Sequence, residues 1–515
     1  MIIKSKIVRD TALLTLMQLF LDSAALLLNV FITKQLGSSA IGILSLMGSF
    51  LGLAGILSNG NAFLCTSRLI SEEIGKPCGD PNKVLFYGIK LCLLLSIAVS
   101  AFVIMLAEPI SVRFFSCTHM MTAIRLMPLA LITGAVAACF KGYFNACRKS
   151  AVTAAVDMIE FASRCSVIVG FSIFAGASSE STVCCIMIGG IIAGNSISML
   201  LSCIFYLRIR KRSTKRCSLS FREYISECLP IMGGGILTSV LSSTNDALIP
   251  ICLRQYGDSA GGALGKFGIF EAIVIPTLFF PSVVLCSMSG IIVSETARAA
   301  AAKNRARIRR FTERLIALTL MFSVFSAAVL VRFGKDIGVI LGGGELAGRM
   351  IAMIAPVVPF IYMEIVLEAV IKGLGMQSFS SFNYLTEYII RIAAVLILIP
   401  KTGFYGIVIS YYASNIYGNI MRYLKTTKVT GTGRALCGTL IFPVILAFVT
   451  IPVPELFFRL TKGKADAPAD MLFFGIIWAA LYFGIFFALG KVKLFSKCGE
   501  EYFGDTAQQT VSRVI

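Results

Sequence analysis

Apolar runs of about twenty residues, the length of helix that crosses a bilayer's hydrocarbon core, recur along this chain from its amino end nearly to its carboxyl end. A spanning barrel would instead show alternating segments of about ten residues. With 57% hydrophobic and only 14% charged residues, the composition lies far outside that of a soluble domain. The chain therefore reads as an all-α integral membrane protein with 14 transmembrane helices, near 11–32, 41–64, 85–107, 122–146, 151–175, 182–207, 226–252, 265–292, 314–333, 349–373, 382–400, 404–424, 434–453 and 471–489. The run that follows Lys4, Lys6 and Arg9 continues to Ile32 without a small-x-small cleavage site, so it reads as a retained first span.

Charge sets the orientation. With residues within a few positions of a span end, Arg422 among them, counted in the adjoining loop, 33 of the 47 Lys and Arg fall at the two ends and in the even-numbered loops, 12 in the odd-numbered loops, and Arg164 and Arg391 deep inside spans. The positive-inside rule then puts both termini in the cytoplasm, in a cell membrane. The net charge of +20 needs no nucleic acid to explain it, because its dense segments, Arg208–Arg212 and Lys303–Arg310, face the anionic cytoplasmic leaflet and lack interleaved aromatic residues. Sixteen cysteines, mostly within apolar spans, form no CxxC pair and accompany a single histidine, so neither a metal site nor a cofactor is expected.

The chain is also duplicated. Thr33–Gly42 after span 1 matches Leu253–Gly262 after span 7, and Ser71-Glu72 matches Ser294-Glu295. Lys141-Gly142 matches Lys372-Gly373, and Glu160-x-x-x-Arg164 matches Glu387-x-x-x-Arg391. Six spans per copy is an even number, so the copies share one orientation and can rock around a V-shaped central cavity. The expected organisation is an amino-terminal half at 1–212, a carboxyl-terminal half at 213–430, two additional spans within 431–490 and a tail at 491–515.

The stretch from Lys141-Gly142-Tyr143-Phe144 to Glu160-x-x-x-Arg164 resembles the basic-Gly-Tyr-Phe-Gln-Gly … Glu-x-x-x-Arg segment of the stage V sporulation protein B-like polysaccharide exporters, within the multidrug/oligosaccharidyl-lipid/polysaccharide superfamily. Lys34-Gln35-Leu36-Gly37, Leu341–Glu345 and Ile371–Gly375 are similar to further family patterns. The resemblance implies a fourteen-span flippase for a lipid-linked sugar, with spans 13 and 14 forming a groove for the lipid tail. Where the family carries an Arg in span 1 that it uses toward the substrate's anionic headgroup, this chain has Asn29.

Charge inside a bilayer costs about 2.5–3.5 kcal/mol per residue even on the lenient scale, so each intramembrane polar residue is a candidate site. Glu160 and Arg164, with Asp157 one turn earlier, share a helical face, as do Glu387 and Arg391 with Asn383. Such a pair either neutralises itself and orients its span, or leaves the Arg a partner for a phosphate. Glu364, Glu368 and Lys372 form a polar ridge in span 10, and Lys141 and Lys372 are placed to snorkel or to catch an entering headgroup. Asp22, Asp246 and Glu271, with Glu364, are candidates to carry a coupling H+ or Na+. Asn59 and Asn61 flank Gly60 as a polar hinge, His119 reads as a solvated loop residue, Pro276 and Pro281 bracket a kink in span 8, and 296–314 reads as a surface helix.

The leading expectation is a monomeric flippase moving a lipid-linked oligosaccharide or cell-wall precursor by alternating access. Its headgroup would pass near Lys141, Arg164, Lys372 and Arg391. The alternative is a cation-coupled multidrug efflux antiporter, whose relatives stop at twelve spans. With no outer loop above about twenty residues, a membrane-embedded polymerase is disfavoured, and the protein is expected not to be an enzyme.

Overall fold

The computed structural model describes residues 2–75, 79–109, 111, 121–147, 149–174, 180–210, 219–432, 436–461 and 468–493. His119 and the tail beyond 493 lie outside the described residues, among which there is no strand. Among the described residues, fourteen long helices organise the chain. In the first unit they are α1 Leu16–Gln35, α2 Ala40–Ile74, α3 Pro81–Met105, α4 Met121–Ala146, α5 Ser150–Phe174 and α6 Thr182–Ile209. In the second they are α7 Phe221–Tyr256, α8 Ala260–Ala300, α9 Arg305–Ile340, α10 Gly344–Gly373, α11 Gln377–Thr402 and α12 Phe404–Thr430, followed by α13 Leu440–Phe458 and α14 Ala469–Phe486. Among the described residues, 12 are long and apolar enough to cross a membrane. The other two are α5, 25 residues long and carrying Asp157, Glu160 and Arg164, and α12, 27 residues long and rich in Asn, Ser and Tyr.

Side chains are distributed inside out relative to a soluble protein. Phe102, Phe171, Ile397 and Phe448 are exposed, while Arg422, Glu387, Asn383 and Ser198 are buried. Lipid is as apolar as the core, so the exterior tolerates Phe and Ile, whereas polar groups must find partners inside.

The duplicated motifs have a common structural reason. Gly37 and Gly257, the matching loop glycines, both adopt positive φ, at 82° and 116°, which a side chain would strain. Gly142 and Gly373, the matching Lys-Gly glycines, both sit where a helix approaches its neighbour without a β-carbon. On Gly142 that atom would lie 2.8 Å from the Phe63 carbonyl oxygen of α2, and on Gly373 2.8 Å from the Val293 carbonyl oxygen of α8. The same pairs therefore pack in each unit: α4 on α2 and on α6, and α10 on α8 and on α12.

The largest buried cluster draws on both units, from Ile41 and Met127 to Phe267, Ile351 and Val358. Within it, Gly42 of α2 lies directly against Leu264 and Gly268 of α8. A second cluster carries Tyr224 and Cys228, from the start of α7, in among Cys65, Cys92 and Phe144 of the first unit. Helix α14 joins α13, where Trp478 donates to the Thr450 hydroxyl at 2.9 Å, and α9, where Tyr482 donates to the Met321 carbonyl at 3.1 Å.

Two local readings of the sequence are refined. Span 8 is irregular, as its prolines indicate, with a π turn at Phe270–Val274 before Pro276 and a 3-10 turn at Phe280–Ser282. The segment 296–314 is not one helix. It breaks where Lys303 takes φ 52° and Asn304 caps α9 by accepting from the Arg307 N–H at 2.9 Å. Lys303-Asn304 supplies a left-handed residue and a cap, which outweigh the helix propensity of the alanines before them.

Gly373→Val is expected to destabilise the protein by about 1–3 kcal/mol through overpacking against α8. Gly233→Ala, at a helical site with nothing within 4 Å, should be neutral or stabilising by up to about 1 kcal/mol. Thermal unfolding in detergent distinguishes the two.

Candidate functional site

In the first unit the charged residues close on one another. Lys141, near the end of α4, does not snorkel: its Nζ lies 2.6 Å from Asp157 and 2.7 Å from Glu160, and its side chain is only 19% exposed. Arg164 donates to the other Glu160 oxygen at 3.1 Å. Helix α6 comes close through Gly190 and Gly194, whose β-carbons would lie 3.2 Å from the Arg164 and 3.1 Å from the Glu160 carbonyl oxygens. Two acids and two bases thus form a compact neutral set, with Arg164 its more solvent-accessible cation at 32% side-chain exposure.

The second unit repeats the Glu-x-x-x-Arg pair and changes what surrounds it. Arg391 donates to Glu387 at 3.4 Å and to Ser414 at 2.9 Å, and its guanidinium lies over the Tyr411 ring at 4.6 Å. The principal cation is one that the sequence reading assigned to a cytoplasmic loop. Arg422 of α12 is fully buried. It donates to Glu364 at 3.0 Å, Glu387 at 3.0 Å and Glu368 at 3.4 Å, one nitrogen to each, and stacks over Tyr384 at 4.6 Å. Ser380 and Lys372 also bind Glu368, the latter at 3.3 Å with 41% of its side chain exposed.

The two units therefore use different cations for one task. Gly194 and Ser198 on α6 correspond to Gly418 and Arg422 on α12, since both glycines pack against the matching glutamate. The first unit holds that glutamate with Lys141; the second holds it with Arg422 and leaves Lys372 nearer the surface. A signal for this was present in the sequence, because Ser414, Gly418, Arg422, Thr426 and Thr430 form a polar stripe at near-helical spacing, and all five are buried.

A cavity of about 490 Å³ opens beside this cluster, between α8, α10, α11 and α12. Its charged lining is Glu364, Glu368, Lys372, Glu387 and Arg391, and its aromatic lining is Phe279, Tyr384, Tyr388 and Tyr411. Lys141, Glu160 and Arg164 do not line it.

The other candidate residues take separate places. Asp246 accepts from Ser49 at 2.6 Å, and Ser243 donates to the Ser49 carbonyl at 3.1 Å, so this pair of contacts ties α7 to α2. Glu271 sits in the π turn of α8 within electrostatic range of Asp246 and Arg391. Asn29 donates to the Ala272 carbonyl of that same turn at 3.0 Å. A π turn shifts the helical ladder by one residue, and Asn29 satisfies a carbonyl there. Asn59 accepts from the Asn61 N–H at 2.8 Å, and with Gly60 and Asn61 at φ 54° and 57° it forms the break within α2. Asp22 accepts a local bond from Gln18, one turn earlier, at 2.9 Å.

An inside-out helical bundle with a charged cavity between its helices is the architecture of a multi-pass membrane transporter, and comparison with known proteins agrees. Residues 7–289 match the family described as polysaccharide biosynthesis protein, more than half of the chain, and the protein belongs to that family. Stage V sporulation protein B of Bacillus subtilis (strain 168) is 22% identical over 419 residues, covering 78% of this chain and 79% of that protein. Among solved structures, the lipid II flippase MurJ in an inward closed conformation superposes with a TM-score of 0.67 at 13% identity, covering 94% of this chain and 100% of that one. An inward-facing multidrug resistance MATE transporter of the MOP superfamily gives 0.61 at 14% identity, covering 82% and 96%.

Removing the Lys141 ammonium leaves Asp157 without its partner inside the bundle. Lys141→Met is expected to lower stability by about 3 kcal/mol, and Asp157→Asn in the same chain to recover part of the loss. Thermal unfolding of the single and double variants tests the pairing.

Proposed function

We propose that this protein is a flippase that carries a lipid-linked oligosaccharide or cell-wall polysaccharide precursor from the inner to the outer leaflet of the cytoplasmic membrane by alternating access. The observation that carries this reading is the cavity of about 490 Å³, lined with charge and embedded in a bundle whose exterior is apolar. No simple anchor needs such a space, and a headgroup in transit does. The family match and the likeness to both flippase and MATE folds support it. Coverage favours the flippase branch over the efflux antiporter: 94% of this chain is accounted for in the first comparison and 82% in the second.

In this reading α5 and α12 also cross the membrane, giving fourteen spans, with both termini in the cytoplasm and α13 and α14 beside the lipid tail. Residues 1–212 and 213–430 act as the two rocking halves of a monomer, followed by α13 and α14 within 431–490 and a cytoplasmic tail at 491–515. The contacts of Gly42 with Gly268 and of Ser49 with Asp246 act as the seam about which they move. Arg164 is the cation best placed to meet an anionic group, and Asp246 or Glu271 would carry a coupling proton or sodium ion.

Proteoliposomes loaded with a labelled lipid-linked oligosaccharide, alongside a second set with the cationic dye ethidium, test the proposal. Translocation of the lipid is expected, reduced about tenfold or more by Arg164→Ala, as loss of a charge-assisted contact implies. Movement of ethidium with no movement of lipid would overturn the proposal in favour of an efflux antiporter.

A further inference from the structure

The cavity of the second unit has no unpaired positive charge, and that restricts what it can hold. Glu364, Glu368 and Glu387 face it, and every cation near them is already engaged. Each of the three guanidinium nitrogens of Arg422 is committed to a different carboxylate, and the side chain has no exposure. Arg391 is bound to Glu387 and Ser414 and enclosed by Tyr388 and Tyr411. Lys372 is paired with Glu368. Three acids stand against these three bases, and Asp246 and Glu271 add negative charge within electrostatic range of Arg391, so the site offers no surplus positive field to an anion.

Its hydrogen-bonding character restricts it further. A carboxylate only accepts, and so does an ionised phosphate, so a pyrophosphate brought against this wall meets acceptors and like charge. Sugar hydroxyl and amide N–H groups are donors and match it. Glu364 shows the point: one of its oxygens accepts from Arg422, and among the described residues the other has no donor, while its side chain stays 18% exposed to the cavity. Three tyrosines and Phe279 supply flat, amphipathic walls of the kind that enclose a sugar ring.

We propose that this cavity is the binding site for the uncharged glycan portion of the transported lipid, read by Glu364 and the surrounding tyrosines, and that the pyrophosphate is held elsewhere. Arg422 is the positioning residue that keeps the three carboxylates together. The inference rests on the flippase reading and adds to it the part of the substrate that this site selects.

The test compares binding of two lipids to the purified full-length protein in nanodiscs: undecaprenyl pyrophosphate alone, and the same lipid carrying an N-acetylated disaccharide. The expected result is a preference of at least about tenfold for the glycosylated lipid, as befits a site built to hydrogen-bond its ligand. Glu364→Gln and, separately, Tyr384→Phe should shrink that preference while leaving the bare lipid within about twofold of its wild-type affinity. Thermal unfolding confirms that both variants are folded. Equal affinity for the two lipids, or tighter binding of the bare lipid by Glu364→Gln, would overturn the assignment and put the pyrophosphate in this cavity. Displacement of the glycosylated lipid by ethidium would overturn it in favour of a cationic ligand. If neither lipid binds the wild-type protein, the flippase reading falls and this inference with it.

Discussion

A guanidinium with no access to solvent cannot persist inside a membrane-spanning bundle unless opposite charge meets it directly. Arg422 satisfies that condition three times over, through Glu364, Glu368 and Glu387, and the second unit is arranged around it. Glu364 and Glu368 fix the face of α10 turned inward, Glu387 fixes that of α11, and Gly418, packed against the Glu387 carboxylate and the Arg422 guanidinium, lets α12 approach. The cavity exists beside this cluster because an ion-paired network holds three helices at set positions, whereas apolar side chains would fill the space. The first unit solves the same problem more economically, with Lys141 between Asp157 and Glu160.

This difference between duplicated units bears on function. The two related bundles meet at a seam formed by Gly42, Gly268, Ser49 and Asp246. What each bundle offers to a passenger is set separately. The first leaves Arg164 partly accessible beside a compact neutral set; the second builds a room lined with acceptors and rings. In the flippase reading proposed above, the first would meet the substrate's anionic linker and the second its hydroxyl-rich head.

Much of this was legible in the sequence. The apolar runs fix an all-helical membrane fold because no other use of so many of them keeps backbone polar groups satisfied. The Glu-x-x-x-Arg repeats mark ion pairs in both units, while the Lys-Gly repeats turn out to be sites of close helix contact. The sequence reading fails where a partner comes from a distant helix. Arg422 lies toward the carboxyl-terminal end of a moderately polar helix, and one-dimensional charge counting sent it to the following loop. Only the buried stripe it shares with Ser414, Gly418 and Thr426 points inward. Likewise Asn29 departs from the family's Arg, and its attachment to the Ala272 carbonyl depends on a π turn that no periodicity reveals. Where the sequence reading takes the headgroup past Lys372 and Arg391, the structure pairs each of these bases with an acid.

The most direct test of this account is the thermal stability of Arg422→Met in detergent, measured alone and together with Glu364→Gln, Glu368→Gln and Glu387→Gln. If the arginine is there to compensate three buried carboxylates, the single variant loses about 3–5 kcal/mol or fails to fold, and removing the acids' charges restores most of the loss. A single variant as stable as the parent, or a quadruple variant no better than the single one, would contradict it.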